Sequence, residues 1–541
     1  MYKSALFIFV AIIATSVVYS QEPVYIGPNI VPFPQVLNTG SSVLAVNPNT
    51  FSITTDSSSQ ILGINIKRYQ KLFFPFGMVK SNAPALNLVV ITKSDSEDLF
   101  LGIDESYSIV ANNKQLTINA NTVWGAVRAL ETFSQLIQWN PDQMSYTIPW
   151  VPMTISDFPR FPWRGFMIDT GRHFLPVQFI LHIIDTIAYQ KFNILHWHIV
   201  DAQSFPVVSS TYTNLTQGAF NPIAIYSHAD IQEVIAYAKS YGIRVVPEFD
   251  IPGHSAAWGV GYPQLIASCP SYAYNINNML LNIAQPYTYQ FIGNLFAEMS
   301  SLFIDQYFHT GGDEVVLDCW GEDPTITAWM KKNNFNLVQA EEYFENQLTT
   351  ILTNLNRTKM VWNDPYQNGV NMTKDTLVQV WDSASLTQEI VDAGYKAIVS
   401  FAYYLDKQVP NPEGKTHYEW QDTWQDFYGA DPLDNITTST ANVLGGEACI
   451  WGEQVNQVSW DVRVYPRALA IGERLWSNEA VTDIQTALVR FTNNSCHIAQ
   501  RGVNSGPLYP NYCYLPENIP SGQRPIMTLT PIEIASILKK K

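Results

Sequence analysis

Strand-like and helix-like segments alternate through the chain after residue 157, and this alternation restricts the fold more than any other feature of the sequence. Short apolar runs predict strands at 165–169, 193–200, 244–250, 306–311, 359–363, 377–381, 397–401 and 443–447. Segments with helical apolar spacing lie between them, among them 176–190, 230–241, 287–303 and 337–354. Eight such units in one domain predict a parallel (β/α)8 barrel.

The earlier part of the chain has a different pattern and predicts a smaller α+β domain. Short alternating apolar runs such as 86–91 and 107–109 are separated by Asn, Ser and Pro, and one amphipathic helix is predicted at 123–137. We therefore divide the chain into a signal peptide at 1–20, an α+β domain at 21–156, and a barrel domain with a C-terminal helical extension at 157–541.

Residues 1–20 have the pattern of a cleaved signal peptide, with an early lysine, an apolar stretch and small residues before the cleavage point. A membrane anchor is the alternative, but the apolar stretch is short and no second long apolar run follows. We expect a secreted or lysosomal protein without a membrane anchor in the mature chain. Five sequons fit N-glycosylation on that path: Asn214, Asn356, Asn371, Asn435 and Asn493.

Charge and cysteine content fit the same path. A formal charge of −16 and a pI near 5.0 argue against a nucleic-acid partner, whose phosphates would be repelled, and fit work in an acidic compartment. An odd number of cysteines, five, leaves at least one unpaired within the chain. We pair Cys269 with Cys319 and Cys496 with Cys513, and we expect Cys449, in an apolar string, to be a buried thiol.

Two adjacent carboxylates, Asp313 and Glu314, follow two glycines and an apolar run at 302–308 that predicts a buried strand. Glycine permits a backbone that leaves a sheet and passes close to a ligand, so both carboxylates are expected at a strand end. Neighbouring carboxylates repel, and this separates a protonated acid from an ionised partner. A helix N-terminus, where acidic residues are also favoured, is the alternative explanation.

Polar and aromatic residues follow every predicted barrel strand, at the face where barrel enzymes hold their active sites. They are Asp169, Arg172 and His173; His198 and Asp201; Glu248, Asp250 and His254; Asp313 and Glu314; Trp362, Asn363 and Asp364; Trp381 and Asp382; Tyr403, Tyr404 and Asp406; Glu447, Trp451 and Glu453. Carboxylates and Arg bind hydroxyls, while aromatic rings cover apolar faces. The combination indicates a sugar pocket.

Five motifs at these positions resemble those of β-N-acetylhexosaminidases of glycoside hydrolase family 20. They are RGFMIDTGRHF (164–174), HWHIVDAQSFP (196–206), EFDIPGH (248–254), HTGGDEV (309–315) and GGEACIWGE (445–453). TVWGAVRALETFSQL (122–136) is similar to the signature helix of the family's N-terminal domain, and the last two cysteines fall where the animal enzymes close a loop. The resemblance covers nearly the whole mature chain.

The resemblance implies an exo-acting, retaining hydrolase of terminal β-linked GlcNAc or GalNAc that uses no enzyme nucleophile. The 2-acetamido oxygen of the substrate attacks the anomeric carbon and forms an oxazolinium, an exception to the usual two-carboxylate scheme. Glu314 would be the general acid and then the base, and Asp313 would hold the acetamido N–H and stabilise the positive charge. Tyr404 would donate a hydrogen bond to the acetamido oxygen.

The resemblance also assigns the remaining pocket residues, and it implies no metal or cofactor. Three indoles would enclose the acetamido methyl group: Trp362, Trp381 and Trp451. Three polar residues would hold ring hydroxyls so that only a chain end enters: Arg172, Asp406 and Glu453. Asp201 and His254 would form a pair that orients and tunes Glu314. The family often forms dimers through the barrel, so the resemblance implies a homodimer.

Two positions depart from the animal enzymes, and two other functions are compatible with parts of the sequence. Ala202 stands where a second Asp is usual, and Tyr403 where a Trp is usual, which affects the rim of the pocket. His196 and His198 have the H-x-H spacing of a metal-dependent amidohydrolase barrel, with His254 downstream. A non-catalytic carbohydrate-binding protein would keep the Trp and Arg residues but not both acids.

Overall fold

The computed structural model describes residues 25–77, 79, 81–407, 423–516 and 529–539. The predicted signal peptide at 1–20 lies outside the described residues. Within the described part of the chain, no helix is both long and apolar enough to cross a bilayer. The chain forms a sheet with two helices, followed by a barrel surrounded by helices, as the sequence predicts.

The N-terminal part is a mixed sheet of seven strands with two helices on one face. The strands are β1 (Val36–Val46), β2 (Ser52–Thr55), β3 (Asn87–Thr92), β4 (Tyr107–Ala111), β5 (Leu116–Ala120), β6 (Gln138–Asn140) and β7 (Ser145–Asp157). The helices are α1 (Gln60–Leu72) and α2 (Val123–Leu136). The sheet order is β1-β7-β4-β5-β3-β2, with β6 paired to β7, and β7 ends at Asp157, next to the predicted boundary.

Eight parallel strands then close into a barrel, which confirms the predicted fold class. They are β8 (Trp163–Asp169), β9 (Ile194–Val200), β10 (Arg244–Phe249), β11 (Tyr307–His309), β12 (Thr358–Trp362), β13 (Leu377–Val380), β14 (Lys396–Val399) and β15 (Val443–Ile450). Each overlaps its predicted segment. Closure occurs because β15 pairs with β8 in parallel register, from Gly445 opposite Trp163 to Ile450 opposite Ile168.

Helices follow the barrel strands, and the predicted helices are present within a few residues of their expected bounds. They are α3 (Val177–Tyr189), α4 (His228–Ser240), α5 (Ala256–Gly261), α6 (Pro286–Leu302), α7 (Asp318–Glu322), α8 (Pro324–Asn333), α9 (Leu337–Asn354), α10 (Asp364–Gln367), α11 (Ala384–Asp392), α12 (Trp424–Gly429), α13 (Trp460–Val464), α14 (Arg467–Trp476), α15 (Ile484–Ala499) and α16 (Pro531–Leu538). The last two follow the barrel and supply a helical C-terminal segment.

The strand predicted from the apolar run at 302–308 is wrong over most of its length. Leu302 ends α6, and β11 begins only at Tyr307. Asp305 explains the break, because its carboxylate accepts hydrogen bonds from Arg244 at 2.6 and 2.7 Å and from the Tyr307 backbone N–H at 2.9 Å. These bonds fix a turn at a position where the hydrophobicity of the sequence predicts a continuous strand.

The barrel interior is layered because inward-facing positions recur every second residue along each strand. The layer farthest from the pocket is apolar and includes Trp163, Ile194, Val246, Tyr307 and Met360. The next layer is charged and is formed by His196, Glu248, His309 and Glu447, all fully buried. The third contains Met167, Trp362, Tyr404 and Cys449 and forms the floor of the cavity described below.

The sheet and the barrel share a buried interface. All residues of α2 are buried, because one face packs on the sheet while the other lies against the barrel. Glu105, before β4, forms ion pairs with Arg128 of α2 at 2.8 Å and with Arg164 of β8 at 2.7 Å. Burial raises the pKa of Glu105, but the two arginines outweigh it and hold that pKa below its usual value.

Both predicted disulfides, Cys269–Cys319 and Cys496–Cys513, are present, and Cys449 is a buried thiol as expected. The first links the loop after α5 to α7, close to the candidate acids, and the second anchors the segment after α15. All five sequon asparagines are solvent-exposed, as attachment of a glycan requires. Glycosylation itself stays a prediction.

Candidate active site

A cavity of about 370 Å³ lies at the carboxyl ends of the barrel strands, where the sequence predicts the site. It is lined by Arg172, Asp313, Glu314, Trp362, Trp381, Tyr404, Asp406, Trp451, Glu453, Gln454 and Val455. Nine of these were predicted from the sequence. The other two predicted residues, Asp201 and His254, are fully buried behind the wall that carries Glu314.

The backbone before the two acids requires glycine. Gly311 and Gly312 have φ angles of +69° and +90°, and a Cβ on Gly311 would lie 1.7 Å from an Asp250 carboxylate oxygen. Glu314 itself has φ of +52°, as does His254. Non-glycine residues rarely adopt this conformation, and such strain is concentrated at functional sites. The strained backbone turns Asp313 and Glu314 into the same cavity.

A chain of ion-pair and hydrogen-bond contacts runs from Arg172 to Glu314. Arg172 Nη2 lies 2.9 Å from Asp201 Oδ2, and His254 Nδ1 lies 3.1 Å from Asp201 Oδ1. The other ring nitrogen of His254, Nε2, is 3.4 Å from Glu314 Oε2. Burial would lower the pKa of His254, but the neighbouring carboxylates, first of all Asp201, outweigh it and hold that pKa well above its usual range. An imidazolium therefore faces the Glu314 carboxylate.

The two adjacent acids differ in environment. The hydrogen bond from His254 lowers the pKa of Glu314, whose side chain is 58% exposed. Burial raises the pKa of Asp313 to about 7, although His254 opposes the shift, and its side chain is only 11% exposed. Glu314 is therefore the acid at the open side of the cavity, and Asp313 is the acid in its depth.

The three indoles are fixed by hydrogen bonds to buried or partly buried carboxylates and by packing. Trp362 Nε1 donates to Glu248 at 2.7 Å, and Trp381 Nε1 donates to Asp364 at 2.8 Å. Trp451 lies 5.7 Å from Trp362, centroid to centroid, and the Arg172 guanidinium lies 4.9 Å from the Trp451 ring. Rings held in this way form a rigid apolar wall.

Tyr404 and Asp406 complete the lining from the loop after β14. Tyr404 packs with Trp362 and Cys449 in the floor, and its backbone pairs with that of Cys449. The Asp406 carboxylate accepts a 3.4 Å hydrogen bond from the backbone N–H of Trp451, and burial raises the pKa of Asp406 to about 7. Of the two positions that depart from the animal enzymes, Tyr403 is fully buried and Ala202 is buried next to Asp201.

Sequence reasoning left several supporting residues without a role. Asp364 Oδ1 accepts the backbone N–H of Glu314 at 3.0 Å, while its other oxygen holds Trp381. Asp169 Oδ1 accepts the backbone N–H of Arg172 at 3.0 Å, and its Oδ2 faces the guanidinium at 3.2 Å. The sequence predicts that carboxylates cluster at the strand ends. It gives no signal that separates the carboxylates that line the cavity from those, such as Asp169 and Asp364, that hold the lining residues in place.

Gln454 and Val455 line the cavity without having been predicted. They follow Glu453 at the end of the GGEACIWGE motif, where the chain turns along the cavity wall. Their side chains carry no ionisable group and no aromatic ring, so the sequence does not mark them as residues of a sugar pocket.

Of the H-x-H pair, His196 lies in the charged layer and His198 lies two residues further along β9, and neither lines the cavity. His196 contacts Glu447 at 2.7 Å and Glu248 at 3.0 Å, and His198 contacts Glu248 at 2.5 Å and Asp201 at 2.8 Å. Burial would lower the pKa of His196, but the carboxylates raise it to about 9. Both ring nitrogens of His198 are hydrogen-bonded to carboxylates, and both ring nitrogens of His196 lie within 3.0 Å of carboxylates, so these histidines serve as charge partners.

Comparison with known families agrees with this geometry. The family model described as "Glycosyl hydrolase family 20, catalytic domain" matches residues 161–479, and "beta-acetyl hexosaminidase like" matches residues 30–136. The chain is 52% identical over 544 residues to beta-hexosaminidase subunit A1 of Dictyostelium discoideum, with 100% of both chains covered. It is 37% identical over 514 residues to beta-hexosaminidase subunit alpha of Rattus norvegicus, covering 89% of this chain and 94% of that one.

Solved structures show the same arrangement of domains. The chitobiase of Flavobacterium johnsoniae superposes with a TM-score of 0.76 at 29% identity, covering 88% of this chain and 73% of that one. The Streptomyces plicatus N-acetyl-beta-hexosaminidase superposes with a TM-score of 0.70 at 22% identity, covering 88% and 96%, which compares the fold alone. The chain therefore belongs to glycosyl hydrolase family 20, and it is a glycoside hydrolase of the β-N-acetylhexosaminidase type.

Proposed function

We propose that this enzyme removes terminal, non-reducing β-linked GlcNAc or GalNAc from glycoconjugates with retention, using the 2-acetamido group of its substrate as the nucleophile. The single observation that carries the proposal is the composition of one cavity. Asp313, Glu314 and Tyr404 face it together with three indoles. The relatives bear the name beta-hexosaminidase, and one solved neighbour, an exo beta-N-acetylglucosaminidase from Vibrio harveyi, was determined with N-acetylglucosamine.

In the first step the acetamido oxygen attacks the anomeric carbon while the bond to the leaving oxygen breaks. Glu314 donates a proton to that oxygen. Asp313 accepts a hydrogen bond from the acetamido N–H and stabilises the positive charge of the oxazolinium. In the second step Glu314 removes a proton from water, which attacks the anomeric carbon and restores the acetamido group with net retention.

Glu314 needs a proton in the first step although His254 lowers its pKa in the free protein. Its carboxylate is 58% exposed, and a sugar on either side of the scissile bond removes the water that stabilises the anion. Desolvation raises the pKa of a carboxylate. Substrate binding therefore moves Glu314 towards its acid form, and the adjacent imidazolium of His254 is the donor that lies within 3.4 Å.

The indoles support selection for the N-acetyl group. Trp362, Trp381 and Trp451 present apolar surface next to the hydroxyl of Tyr404, so the cavity offers both a donor for a carbonyl and contact for a methyl group. A sugar with a free 2-hydroxyl would bring a polar group against this surface and would also lack the nucleophile.

The polar residues on the other side of the cavity support exo action. Arg172, Asp406 and Glu453 close this side, and their groups suit hydroxyls of one terminal ring. Arg172 is held in place by Asp169 and Asp201 at 3.2 and 2.9 Å. A second sugar beyond the terminal ring would require displacement of this braced guanidinium.

We also propose that the enzyme travels the secretory path to the lysosome or the exterior and works as a homodimer. The predicted signal peptide and the five exposed sequons support the first part. The relatives are named as subunits, which supports the second. Light scattering of the glycosylated protein measures the assembly, and cleavage after Ser20 is read from the N-terminus of the purified chain.

The proposed activity is tested with three nitrophenyl β-glycosides: the GlcNAc, the GalNAc and the glucoside. We expect turnover of the first two, no measurable turnover of the glucoside, and no effect of a chelator. A thiazoline that mimics the cyclised intermediate should inhibit strongly, because it resembles the species that Asp313 and Tyr404 stabilise. A glycosyl ester trapped on a carboxylate of the enzyme would refute acetamido participation.

The same assay separates the alternatives. A carbohydrate-binding protein without catalysis would bind the thiazoline or free GlcNAc and show no turnover of any glycoside. An amidohydrolase would lose activity in chelator and would release acetate instead of nitrophenol. Both outcomes contradict the proposed function.

A further inference from the structure

Asp250 is a fully buried carboxyl group directly beneath the acid pair, and the chemistry described above gives it no role. It follows β10, and its Oδ1 accepts the backbone N–H of Gly312 at 3.2 Å. This contact lies one residue before Asp313. The absence of a side chain on Gly311, whose Cβ would lie 1.7 Å from the same oxygen, is what allows Asp250 to approach.

One carboxylate oxygen of Asp250 and one of Asp313 are buried without a hydrogen bond within the part of the chain that the structure describes. Among the described residues, no hydrogen-bond donor reaches Asp250 Oδ2 or Asp313 Oδ1, and both atoms are buried. An oxygen of Asp250, an oxygen of Asp313 and a ring nitrogen of His254 all lie within 4.8 Å of one another. Two buried carboxylates without donors would repel each other and would each carry a desolvation penalty.

We propose that Asp250 is protonated in the working enzyme and donates a hydrogen bond to Asp313, so that Asp250 is a neutral positioning residue for the acetamido-binding carboxylate. A single proton shared by the two side chains then gives a hydrogen bond to both unpaired oxygens, Asp250 Oδ2 and Asp313 Oδ1. The donated hydrogen bond favours the anion of Asp313, which opposes the effect of burial on its pKa, and it gives the carboxylate a fixed orientation. The proposal rests on the proposed function, because the orientation of Asp313 matters only if it stabilises the oxazolinium.

The charges around the pair agree with this assignment. Asp250 faces Asp313, His254, Glu248 and His198, and Asp313 faces His254, Asp364, Glu248 and Glu314. Burial raises the pKa of Asp250 well above its usual range, and the Asp313 charge raises it further. Asp250 is the more deeply buried of the two carboxyl groups, with no exposed surface against 11% for the Asp313 side chain. Because desolvation favours the neutral form of a carboxyl group, the shared proton belongs on Asp250.

The test compares Asp250→Asn with Asp250→Ala. An Asn side chain can accept from Gly312 through its carbonyl and donate to Asp313 through its amide, so it reproduces the neutral donor. We expect Asp250→Asn to retain kcat within about fivefold and Asp250→Ala to lose about 10- to 100-fold, the range expected when a hydrogen bond to a charged group is removed. If Asp250 acts as an anion, the two variants lose activity equally.

The pH profile supplies a second readout that a packing defect does not produce. Loss of a neutral donor raises the pKa of Asp313, so the acidic limb of kcat moves to higher pH in Asp250→Ala. Loss of an anion would remove repulsion and move that limb to lower pH. In Asp250→Asn the limb should stay near its wild-type position.

Three controls keep the outcomes distinct. Circular dichroism and thermal unfolding establish that both variants are folded, and an infrared band from a protonated carboxyl group should disappear in Asp250→Asn without any need for turnover. Activity lost on dialysis against a chelator would place a cation, and not a proton, between the carboxylates. A wild type without turnover of the aryl glycosides would refute the proposed function, whereas an active wild type with equally impaired variants would refute only the role of Asp250.

Discussion

Glu314→Gln should separate stability from catalysis more clearly than any other substitution in the cavity. The side chain is 58% exposed, and its contact with His254 is 3.4 Å long. Solvent screens the exposed Glu314 carboxylate, so we place the pair on the scale of a surface ion pair, about 0.2–1 kcal/mol, and expect the free energy of unfolding to change by less than about 1 kcal/mol. His254 keeps its hydrogen bond to Asp201 at 3.1 Å, which preserves the orientation of the ring.

The effect on turnover should be much larger and should depend on the leaving group. General acid catalysis contributes about 10²- to 10⁴-fold, and we expect losses in this range for a chitobiose substrate, whose leaving oxygen needs a proton. A nitrophenyl leaving group needs little assistance and should lose about tenfold or less. The basic limb of kcat/KM on chitobiose should also disappear, because Gln does not titrate.

The assay measures kcat and kcat/KM on both substrates and the thermal midpoint of each protein. Glu389→Gln, an exposed glutamate on α11 far from the cavity, is the matched control and should leave every value unchanged. Equal losses on the two substrates would remove Glu314 from the acid role. A large drop in the thermal midpoint would show that the contact with His254 stabilises the fold more than the solvent exposure of Glu314 indicates.

Three further predictions address the wall, the charged layer and the domain interface. Trp381→Ala should raise KM for the nitrophenyl GlcNAc about tenfold or more through lost apolar contact, read from initial rates. Glu248→Gln should destabilise the fold by about 3–5 kcal/mol in denaturant titrations, since it removes one of the two carboxylates that each of the buried imidazoles of His196 and His198 contacts. Glu105→Gln should destabilise by a similar amount at pH 7; because the pKa of Glu105 is lowered on folding, this difference should be present above about pH 4.3 and shrink as pH falls further.

The sequence predicted the barrel and most of the cavity because both depend on period and position. Strands of a parallel barrel are buried on both faces and read as short apolar runs, and polar residues after such runs must meet at one face. The error at 302–308 has the opposite cause. The turn is fixed by the contact between Asp305 and Arg244, which are 61 positions apart in the sequence. A local hydrophobicity pattern cannot predict a contact between residues so distant in sequence.

The supporting residues could not be assigned for a related reason. Asp169, Asp364 and Asp406 all follow strands, but only Asp406 lines the cavity, whereas Asp169 and Asp364 brace Arg172, Trp381 and the Glu314 backbone. These roles depend on which donor group binds to each oxygen of the carboxylate, and this is determined by the folded structure. Sequence position places the carboxylate at the right end of the barrel and leaves this choice open.

A chain of buried charged groups connects the charged layer of the barrel to the acid pair. Carboxylates and imidazoles alternate from Glu447 through His196, Glu248, His198, Asp201 and His254 to Glu314, with each neighbouring pair between 2.5 and 3.4 Å apart. An apolar layer of equal volume would stabilise the barrel at least as well, because burying ion pairs carries a desolvation penalty. It would, however, give His254 no fixed proton and no fixed direction. The chain holds the charges of the site in place before substrate arrives, and under the proposed mechanism this preorganisation stabilises the developing oxazolinium without reorganisation of the protein.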